Sequence, residues 1–396
     1  MTIDNKEINE VVILNIIKLE HNRRGVYTAE SVGSGHPDKI CDQIADGILD
    51  ECLKQDENSR VACEVVAANR LIVIAGEITT KAKVDHVKIA WDVVTKLGYD
   101  RSSFTIISNI NQQSPDIAQS VDQKNNMIGA GDQGITVGYA CNETNNQMPL
   151  AVVMAHDLVK LARELIDNQT FNHAKYDMKA QVSLNYLEDN QVELKTILMS
   201  IQHEENIDLS VFKLFVKKFI MDEIATKYGF SKDYEALINP SGLFTSGGPI
   251  ADTGLTGRKL LVDSFGIYAH HGGGAYGGKD YTKVDRSGAY YARWIAKHII
   301  KAKLATQCEV IISWAIGVPK PLDISINCFD TNTVDMKTIY KIIKKIFNHN
   351  LAEIINILKL RTTKYSGLAT YGHFGKSEKQ YAFENTIYLD EILKML

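Results

Sequence analysis

The sequence predicts an α+β fold made of three similar α+β domains, each a mixed β-sheet with helices on one face. Three observations lead to this prediction. The 396 residues are 45% hydrophobic and 23% charged, which is typical of a globular chain with about two to four domains. The predicted order strand, helix, two strands, helix occurs three times, at intervals of roughly 110–125 residues. Because the strands come in adjacent pairs, mixed sheets are favoured over a purely parallel one.

The chain is expected to begin with an N-terminal extension, residues 1–25, that contains a short helix. Its apolar run, Val11–Ile17, follows acidic residues and is shorter than the roughly 18 residues of a membrane span. A secretory signal would begin with basic residues. We therefore expect neither a signal peptide nor contact with a membrane.

The first unit is predicted from hydrophobic spacing. Pro37 occupies a first-turn position, and apolar residues then recur every three or four positions, as on one face of a helix. Alternating apolar residues from Val61 to Ala67 indicate a strand. The predicted elements of this unit are helix 37–54, strands 61–67 and 71–79, helix 83–97 and strand 104–110.

The two later units repeat these signals in the order of elements, without repeating residue identity. The second is predicted to contain strand 134–140, helix 149–167, strands near 179–186 and 191–202, and helix 208–228. The third is predicted to contain strand 258–263, helix 285–304, strands 308–316 and 322–329, and helix 335–348. Three sheets around one core would fit the chain length.

Charge and cysteine content narrow the function. The formal net charge of −4 excludes a bulk electrostatic footprint for nucleic acid, so no nucleic-acid partner is expected and any anion site must be built locally. The six cysteines form no CxxC pair, and each lies in an apolar run. This pattern indicates reduced, buried thiols in a cytoplasmic protein.

Glycine is concentrated in one stretch. Between Gly242 and Gly278 there are 11 glycines in 37 residues, against about 2.5 if the 27 of the chain were evenly spread. Five cations lie in this stretch or just after it: Arg258, Lys259, Lys279, Lys283 and Arg286. Backbone N–H groups that approach a ligand closely, together with point charges, are what a polyphosphate site needs. The alternative is a long irregular surface loop.

Three motifs lack the context that their usual functions require. Gly129–Gly134 matches GxGxxG, but a strand is predicted after it, where a dinucleotide site needs a helix. Gly273–Lys279 matches GxxxxGK, but Asp280 replaces the Ser or Thr that binds Mg²⁺ in a P-loop. His271–Gly274 resembles a lipase oxyanion loop, but the chain has no GxSxG nucleophile elbow. A Rossmann site and serine hydrolysis are excluded, and a P-loop is disfavoured.

Carboxylates near the start of the first helix give a further indication. Asp38 lies beside a histidine and a lysine where the helix dipole favours anions, which fits a site that also holds Mg²⁺ and phosphate. Asp42, Asp46 and Asp50 continue at four-residue spacing and are expected to form a solvated face. Glu64 points away from the core side of its strand and is either exposed or an ion ligand.

Several motifs together resemble the S-adenosylmethionine synthetase (methionine adenosyltransferase) family. They occur in the family's order, and the resemblance covers residues from about 26 to 386. The motifs are Gly35–Lys39, Gly129–Gly134, Gly257–Lys259, Gly272–Asp280, Lys283–Ser287 and Gly372–Gly375. The resemblance implies three similar domains about a pseudo-threefold axis, with limits at 26–124 for the N-terminal, 127–246 for the central and 248–386 for the C-terminal domain.

The reaction implied by the resemblance converts ATP, L-methionine and water into S-adenosylmethionine, phosphate and diphosphate. The methionine sulfur would attack C5′ of ATP and displace triphosphate, which is hydrolysed before release. A neutral thioether that displaces a polyanion needs alignment and charge neutralisation, and no general base. A site rich in Lys, Arg, His and Mg²⁺ suits that chemistry.

The resemblance also implies roles for individual residues. The catalytic contacts would be His36, Lys179, Arg258, Lys279 and Lys283. The ATP site would also include Asp177, Phe244, Asp252, Lys259 and Ala275. The ring of Phe244 would stack on adenine. Methionine would contact Glu77, Gln113, Asp252 and Lys283, and residues 113–123 would form a mobile gate loop. Two Mg²⁺ per site would bind Asp38 and Asp285, and one K⁺ per subunit would bind Glu64.

In this family the active site lies between two subunits. We therefore expect at least a homodimer, with the Asp38 region of one chain facing the glycine-rich run of the other, and a dimer of dimers beyond it.

Departures from the family pattern leave the metal ligands and the lysines that would clamp the triphosphate intact. Leu243 stands where the family usually has arginine, and we expect it to alter nucleotide affinity. The other departures are Gly277, Tyr276, Ala251 and Gln112, in place of serine, phenylalanine, glycine and lysine. Two alternatives stay open: a non-catalytic paralogue that regulates a catalytic partner, and a Mg²⁺-dependent polyphosphate hydrolase without a methionine pocket.

Overall fold

The computed structural model describes residues 15–112 and 128–396, in which the chain forms three β-sheets of five, four and three strands. Buried residues from all three sheets and their helices contribute to one continuous hydrophobic core. Two pairs of neighbouring strands in this part of the chain run parallel and the others antiparallel, so two of the sheets are mixed. The predicted α+β class is confirmed.

The element bounds are as follows. The described strands are β1 (Ile16–Lys18), β2 (Gly25–Val32), β3 (Arg60–Ala68), β4 (Leu71–Thr79), β5 (Thr105–Asn111), β6 (Gly134–Cys141), β7 (Ala174–Tyr186), β8 (Gln191–His203), β9 (Glu235–Ile238), β10 (Gly254–Leu255), β11 (Gln307–Trp314) and β12 (Asp323–Asn327). The helices are α1 (Pro37–Gln55), α2 (His86–Lys96), α3 (Leu150–Asp167), α4 (Leu209–Val216), α5 (Asp222–Lys227), α6 (Leu260–Asp263), α7 (Val284–Lys301), α8 (Met336–Ile346), α9 (Leu351–Ile357) and α10 (Leu389–Leu393). A π-helical turn, Lys217–Met221, joins α4 to α5, so the predicted helix 208–228 contains one wide turn.

The three units exchange their first strands in a cycle. Strand β2 of the first unit pairs with β7 of the second, and β6 of the second unit pairs with β11 of the third. The cycle closes because β10, from the start of the third unit, pairs with β3 of the first. No unit of the described chain completes a sheet from its own strands alone. The predicted repeat is confirmed with this exchange, and the contiguous domain limits stay a prediction.

Three helices, α1, α3 and α7, pack against the β-sheets. Of these α7 is the most enclosed, with 16 of its 18 residues buried. Its Arg293 and Lys297 both contact the carboxylate of Glu384, at 3.1 and 2.9 Å. A buried charge is costly unless it is paired, so Glu384 fixes the C-terminal segment to this helix. The outer helix α8 instead buries a single apolar face, in the manner of an amphipathic helix.

One element prediction is wrong. Residues 258–263 form no strand, since Leu260–Asp263 is a short helix and the strand of this unit is β10, which lies just before it. Gly257 has a φ of +73°, and this left-handed conformation turns the chain out of the sheet. The short helix expected within residues 1–25 stays a prediction, because residues 1–14 lie outside the described residues. Within the described part of this extension, β1 pairs with the edge of β8. An edge strand offers unpaired backbone groups, which explains this pairing.

Two expectations from composition can be compared with the structure. All six cysteines are buried and unpaired, as predicted: Cys41, Cys52, Cys63, Cys141, Cys308 and Cys328. Within residues 15–112 and 128–396, no helix combines the length and the apolar character that crossing a membrane would require.

Gly278 shows why the glycine-rich stretch needs glycine. Its φ of +72° is left-handed, and a Cβ there would lie 1.9 Å from the carbonyl oxygen of Cys63. The Gly278 carbonyl accepts the N–H of Cys63 at 2.9 Å. The stretch therefore lies directly against β3, at a distance that only glycine permits.

We predict that Gly278→Ala destabilises the protein more than Gly273→Ala. Both glycines have a positive φ, which costs an L-residue about 1–2 kcal/mol. A Cβ on Gly273 meets nothing within 4 Å, whereas the clash at Gly278 should add about 1–3 kcal/mol. Urea unfolding of the two variants measures the difference, and equal losses of unfolding free energy would contradict the prediction.

Candidate active site

A row of carboxylates follows the buried side of α1. Asp38, Asp42, Asp46 and Asp50 lie about one helical turn apart, and we call them the carboxylate stripe. Each accepts a backbone N–H from the C-terminal half of the chain: Leu255 at 3.0 Å, Gly257 at 2.9 Å, Gly278 at 2.8 Å and Tyr365 at 2.7 Å, respectively. The solvated face predicted for three of these acids is therefore wrong. Their partners are backbone amides of irregular segments, which need acceptors once they are buried.

Two cations neutralise the middle of the stripe. Lys39 is fully buried and donates to Asp42 at 2.8 Å and to Asp263. Arg286 donates to Asp46 at 2.7 Å. Burial raises the pKa of Asp46, and Arg286 opposes that rise without cancelling it. These ion pairs balance the negative charges of Asp42 and Asp46 inside the protein.

The N-terminus of α1 brings together a first group of predicted site residues. Gly33 and Gly35 allow this, since a Cβ on either would lie 2.5 Å from atoms of β7. Their N–H groups donate to the carbonyls of Met178 and Tyr176, at 2.8 and 3.0 Å. The first group comprises His36, Asp38, Asp177, Lys179, Arg258 and Lys259.

Asp38 is the centre of the first group. One oxygen accepts a hydrogen bond from Lys259 Nζ at 2.6 Å, and the other lies 3.8 Å from Arg258 Nε. Burial alone would raise the pKa of Asp38, but Lys259 and the Leu255 amide outweigh it and hold the pKa below its ordinary value. The side chain is thus a carboxylate, already bound by cations, at neutral pH.

His36 caps α1 as a neutral ring. Its Nδ1 accepts the N–H of Asp38 at 3.2 Å, so in the neutral ring the proton lies on Nε2. Burial, followed by the Lys259 ammonium, lowers the pKa of His36 to about 3, although Asp38 acts in the opposite direction. At neutral pH this histidine can donate one hydrogen bond and is not a general acid.

A bulge in β7 turns Asp177 inward. The register between β7 and β8 shifts after Ala174, and the Asp177 carboxylate accepts the N–H of Gly248 at 2.7 Å. Burial raises its pKa to about 6, with the Gly248 bond and Lys179 opposing the rise. Lys179, two residues further along the strand, is exposed. A cavity of about 460 Å³ opens beside Asp177, and its wall includes Tyr99.

Phe244 is held beside this group by its backbone. Its N–H donates to Nε2 of His203 at 3.0 Å, and its carbonyl accepts the N–H of His203 at 2.9 Å. The ring is half-buried, and the neighbouring Leu243 is 65% exposed. Asp252 is also exposed, and its N–H donates to the carbonyl of Gly248 at 3.1 Å.

The start of α7 brings together a second group, which comprises Lys279, Lys283 and Asp285. Lys279 donates to Asp285 at 2.6 Å, and Lys283 donates to Asp280 at 2.5 Å. Asp280 is fully buried and also accepts the N–H of Val61 at 2.7 Å. It therefore joins the glycine-rich stretch to β3, which is a structural task unlike that of a P-loop Ser or Thr.

The remaining predicted residues lie around these groups. Glu64 is exposed on β3. The protein atoms around it nevertheless raise its pKa, and the Thr256 hydroxyl and Lys279 oppose this rise without cancelling it. Glu77 is exposed on β4, and Ala275 lies against Gly257. Gln113 and the predicted gate loop, 113–123, lie outside the described residues.

The acidic side chains fit metals that also bind the substrate. In the described part of the chain, no cluster of three or more His, Cys, Asp and Glu side chains is arranged to hold a metal by itself. Asp38 and Asp285 belong to different groups, and each offers a carboxylate beside a lysine. Mg²⁺ commonly binds one or two carboxylates and takes its other ligands from phosphates and water. The donor set fits that mode.

The buried ion pairs of Lys39 with Asp42 and Asp263, and the burial of Asp42 and Asp46, were not predicted from the sequence. A signal was present, because Asp42 and Asp46 alternate along α1 with apolar residues such as Ile44. A helix that is apolar on more than one side is enclosed, and polar residues on it then need partners.

Comparisons with known proteins agree with this geometry. The chain matches the S-adenosylmethionine synthetase N-terminal domain over residues 24–122, the central domain over 127–244 and the C-terminal domain over 246–385. It is 48% identical over 372 residues to the S-adenosylmethionine synthase of Mycoplasmopsis pulmonis, covering 94% of this chain and 99% of that protein. It is 51% identical over 362 residues to the protein of that name from Mycoplasma genitalium, covering 91% and 94%.

We predict that Lys259→Met raises the pKa of His36. Burial is the larger cause of the pKa of about 3 and Lys259 the next, so removing the ammonium should reverse part of the shift. Nitrogen-15 NMR of histidine-labelled protein, with His36→Asn for assignment, follows the ring as the pH is lowered. Lys301→Met, at an exposed lysine of α7, is the control. An unchanged titration of His36 in Lys259→Met would refute this account of the site.

Proposed function

The chain belongs to the S-adenosylmethionine synthetase family, and from that premise we propose that it converts ATP, L-methionine and water into S-adenosylmethionine, phosphate and diphosphate. The C5′–O bond of ATP breaks as a C5′–S bond forms, and water then cleaves the displaced triphosphate. The observation that carries the proposal is the cationic first group around Asp38. It offers Lys259, Arg258 and Lys179 to a polyanion without a nucleophile–base pair.

The first group would hold the triphosphate at its reacting end. The Nε2–H of His36 can donate to an oxygen of the leaving group and keeps its proton, because the ring is neutral. Lys259 can pass from Asp38 to a phosphate oxygen over a short distance, since its ammonium is partly exposed. Asp38 and Asp285 would each hold one of two Mg²⁺, which neutralise phosphate charge when bound.

The nucleoside and methionine would lie on either side of this end. Asp177 and Asp252 face the region of the ribose, with Phe244 stacked on adenine and Ala275 lining the site. Methionine would contact Glu77, Gln113, Asp252 and Lys283. Glu64 would offer a carboxylate oxygen to K⁺. The positive charge of the ion would favour the carboxylate form, which the surrounding protein atoms disfavour by raising the pKa of Glu64.

A site shared between subunits would combine groups from two chains. Within one chain, contacts tie Asp38 to Lys259 and Asp285 to Lys279. We propose that the first group of one chain faces the second group of another in a homodimer, and that two dimers associate. The six buried, unpaired cysteines support a cytoplasmic location.

One assay tests the proposal. Purified protein with ATP, methionine, Mg²⁺ and K⁺ should form S-adenosylmethionine, phosphate and diphosphate in equal amounts. Lys279→Met should lower this rate about 10²–10³-fold, as expected when a donor to developing charge is removed, while Lys301→Met stays near the native rate. Cleavage of added triphosphate without S-adenosylmethionine would indicate a polyphosphate hydrolase. Absence of both activities in folded protein would indicate a regulatory subunit.

We predict an acid limb in the pH profile of kcat/KM for ATP, centred near pH 6. Burial raises the pKa of Asp177 to about 6, so its carboxylate form is present above that pH and is lost as the pH falls through it. Asp177→Asn should lower kcat/KM about tenfold and abolish this limb. Steady-state rates at subsaturating ATP provide the measurement. A limb that persists in the asparagine variant would assign it to another group.

A further inference from the structure

The motif Gly372–Gly375 contributes no residue to either group, yet its histidine lies in a buried network. His373 is 1% exposed, and its backbone N–H donates to the backbone carbonyl of Asp263 at 2.9 Å. Its Nδ1 lies 2.8 Å from the hydroxyl of Tyr290 on α7. We call Lys39, Asp42, Asp263, Tyr290 and His373 the Asp263 cluster.

The tautomer of His373 follows from its surroundings. Burial lowers the pKa of His373 well below its ordinary value, so the ring is neutral. If the Tyr290 hydroxyl donates to Nδ1, the ring proton lies on Nε2, which is 3.9 Å from the Asp263 carboxylate. That distance is too long for a hydrogen bond, but it places a positive N–H edge towards the Asp263 carboxyl group. Burial raises the pKa of Asp263 to about 7 and Lys39 opposes the rise, so a positive edge nearby favours the carboxylate form.

The cluster reaches the first group through Lys39. The Lys39 ammonium contacts the carboxylates of both Asp263 and Asp42. Asp42 in turn accepts the N–H of Gly257. The cluster therefore holds both ends of the segment from Gly257 to Asp263.

That segment carries two of the cations of the first group, Arg258 and Lys259. Asp42 holds its first residue, Gly257, and Lys39 and His373 hold its last, Asp263. The Asp263 N–H also donates to the carbonyl of Lys259 at 2.8 Å. Because Tyr290 belongs to α7, which begins beside Asp285, the same contacts connect the segment to the second group.

We propose that His373 and Tyr290 are positioning residues for Arg258 and Lys259, acting through Asp263, Lys39 and Asp42. The proposal rests on the proposed function in one respect, that the ligand of these cations is the triphosphate chain of ATP. Tyr290 sets the orientation of His373, and His373 supports the Asp263 carboxylate that holds Lys39. Loss of this support should displace the two cations and weaken the binding of ATP more than the binding of methionine.

Neighbouring tyrosines of α7 provide a matched test. Tyr290 and Tyr291 are both fully buried, and each hydroxyl contacts a histidine Nδ1, that of His373 at 2.8 Å or that of His349 at 3.0 Å. The Tyr291 hydroxyl also donates to the carbonyl of Phe347, so Tyr291→Phe removes at least as many hydrogen bonds. Both variants should lower the urea midpoint.

Only Tyr290→Phe should weaken the binding of ATP. We expect it to raise the KM for ATP and the Kd of a non-hydrolysable ATP analogue with Mg²⁺ about fivefold, the effect of losing the hydrogen bond of the hydroxyl to His373. The KM for methionine should change less than twofold. A double variant with His373→Phe should lose no more than His373→Phe alone, whereas His373→Asn, which keeps an acceptor for Tyr290, should recover part of the loss.

Equal effects of Tyr290→Phe and Tyr291→Phe on the analogue, or additive effects in the double variant, would overturn the proposal. Absence of S-adenosylmethionine formation by the native protein would instead overturn the proposed function. The two failures are distinguishable, because binding of the analogue is measured without turnover.

Discussion

Hydrogen bonds from backbone amides to the carboxylate stripe determine where the C-terminal half of the chain lies. Four acids on one helix accept N–H groups from residues 215 to 315 positions further along the chain. Such bonds to an ionised acceptor are strong and directional, so each acid fixes one point of a part of the chain that contains little regular structure. The regular spacing of α1 is thereby imposed on the glycine-rich stretch. Arg258, Lys259 and Lys279 are carried by that stretch and its end, and Lys283 lies at the start of the helix that follows it.

The stripe also explains a division of labour among the cations. Lys39 and Arg286 are buried against the stripe, because four carboxylates could not enter the interior without compensation. Lys179 and Arg258 are exposed, and Lys259 and Lys279 remain partly exposed. The first pair serves the fold, and the others are available to a polyanion. A sequence analysis that counts cations near glycines cannot separate these two roles, since the difference depends on burial.

Local signals predicted most of the elements. Hydrophobic spacing gave α1, α3 and α7 within a few residues, and adjacent apolar runs gave the paired strands. The site motifs were equally visible, because Gly33, Gly35 and Gly278 are required by local close approach. The exchange of first strands was not predictable, since β10 has two residues and therefore no periodicity. The burial of Asp42 and Asp46 also escaped prediction, because their partners are distant in sequence and spacing alone does not show what covers a helix face.

The pairing within each group bears on how a charged site can exist in the free chain. Asp38 is bound by Lys259 and Asp285 by Lys279, so neither carboxylate nor lysine is left uncompensated before a ligand arrives. In the proposed reaction the triphosphate chain of ATP would enter together with Mg²⁺. Each lysine would then turn from its carboxylate to a phosphate oxygen, and Asp38 and Asp285 would each be free to hold a Mg²⁺. Opposite charges stay paired at every stage, which avoids the large cost of an isolated buried ion. The lysine–carboxylate pairs of the free chain can therefore be understood as a resting arrangement of the same groups that would bind the substrate.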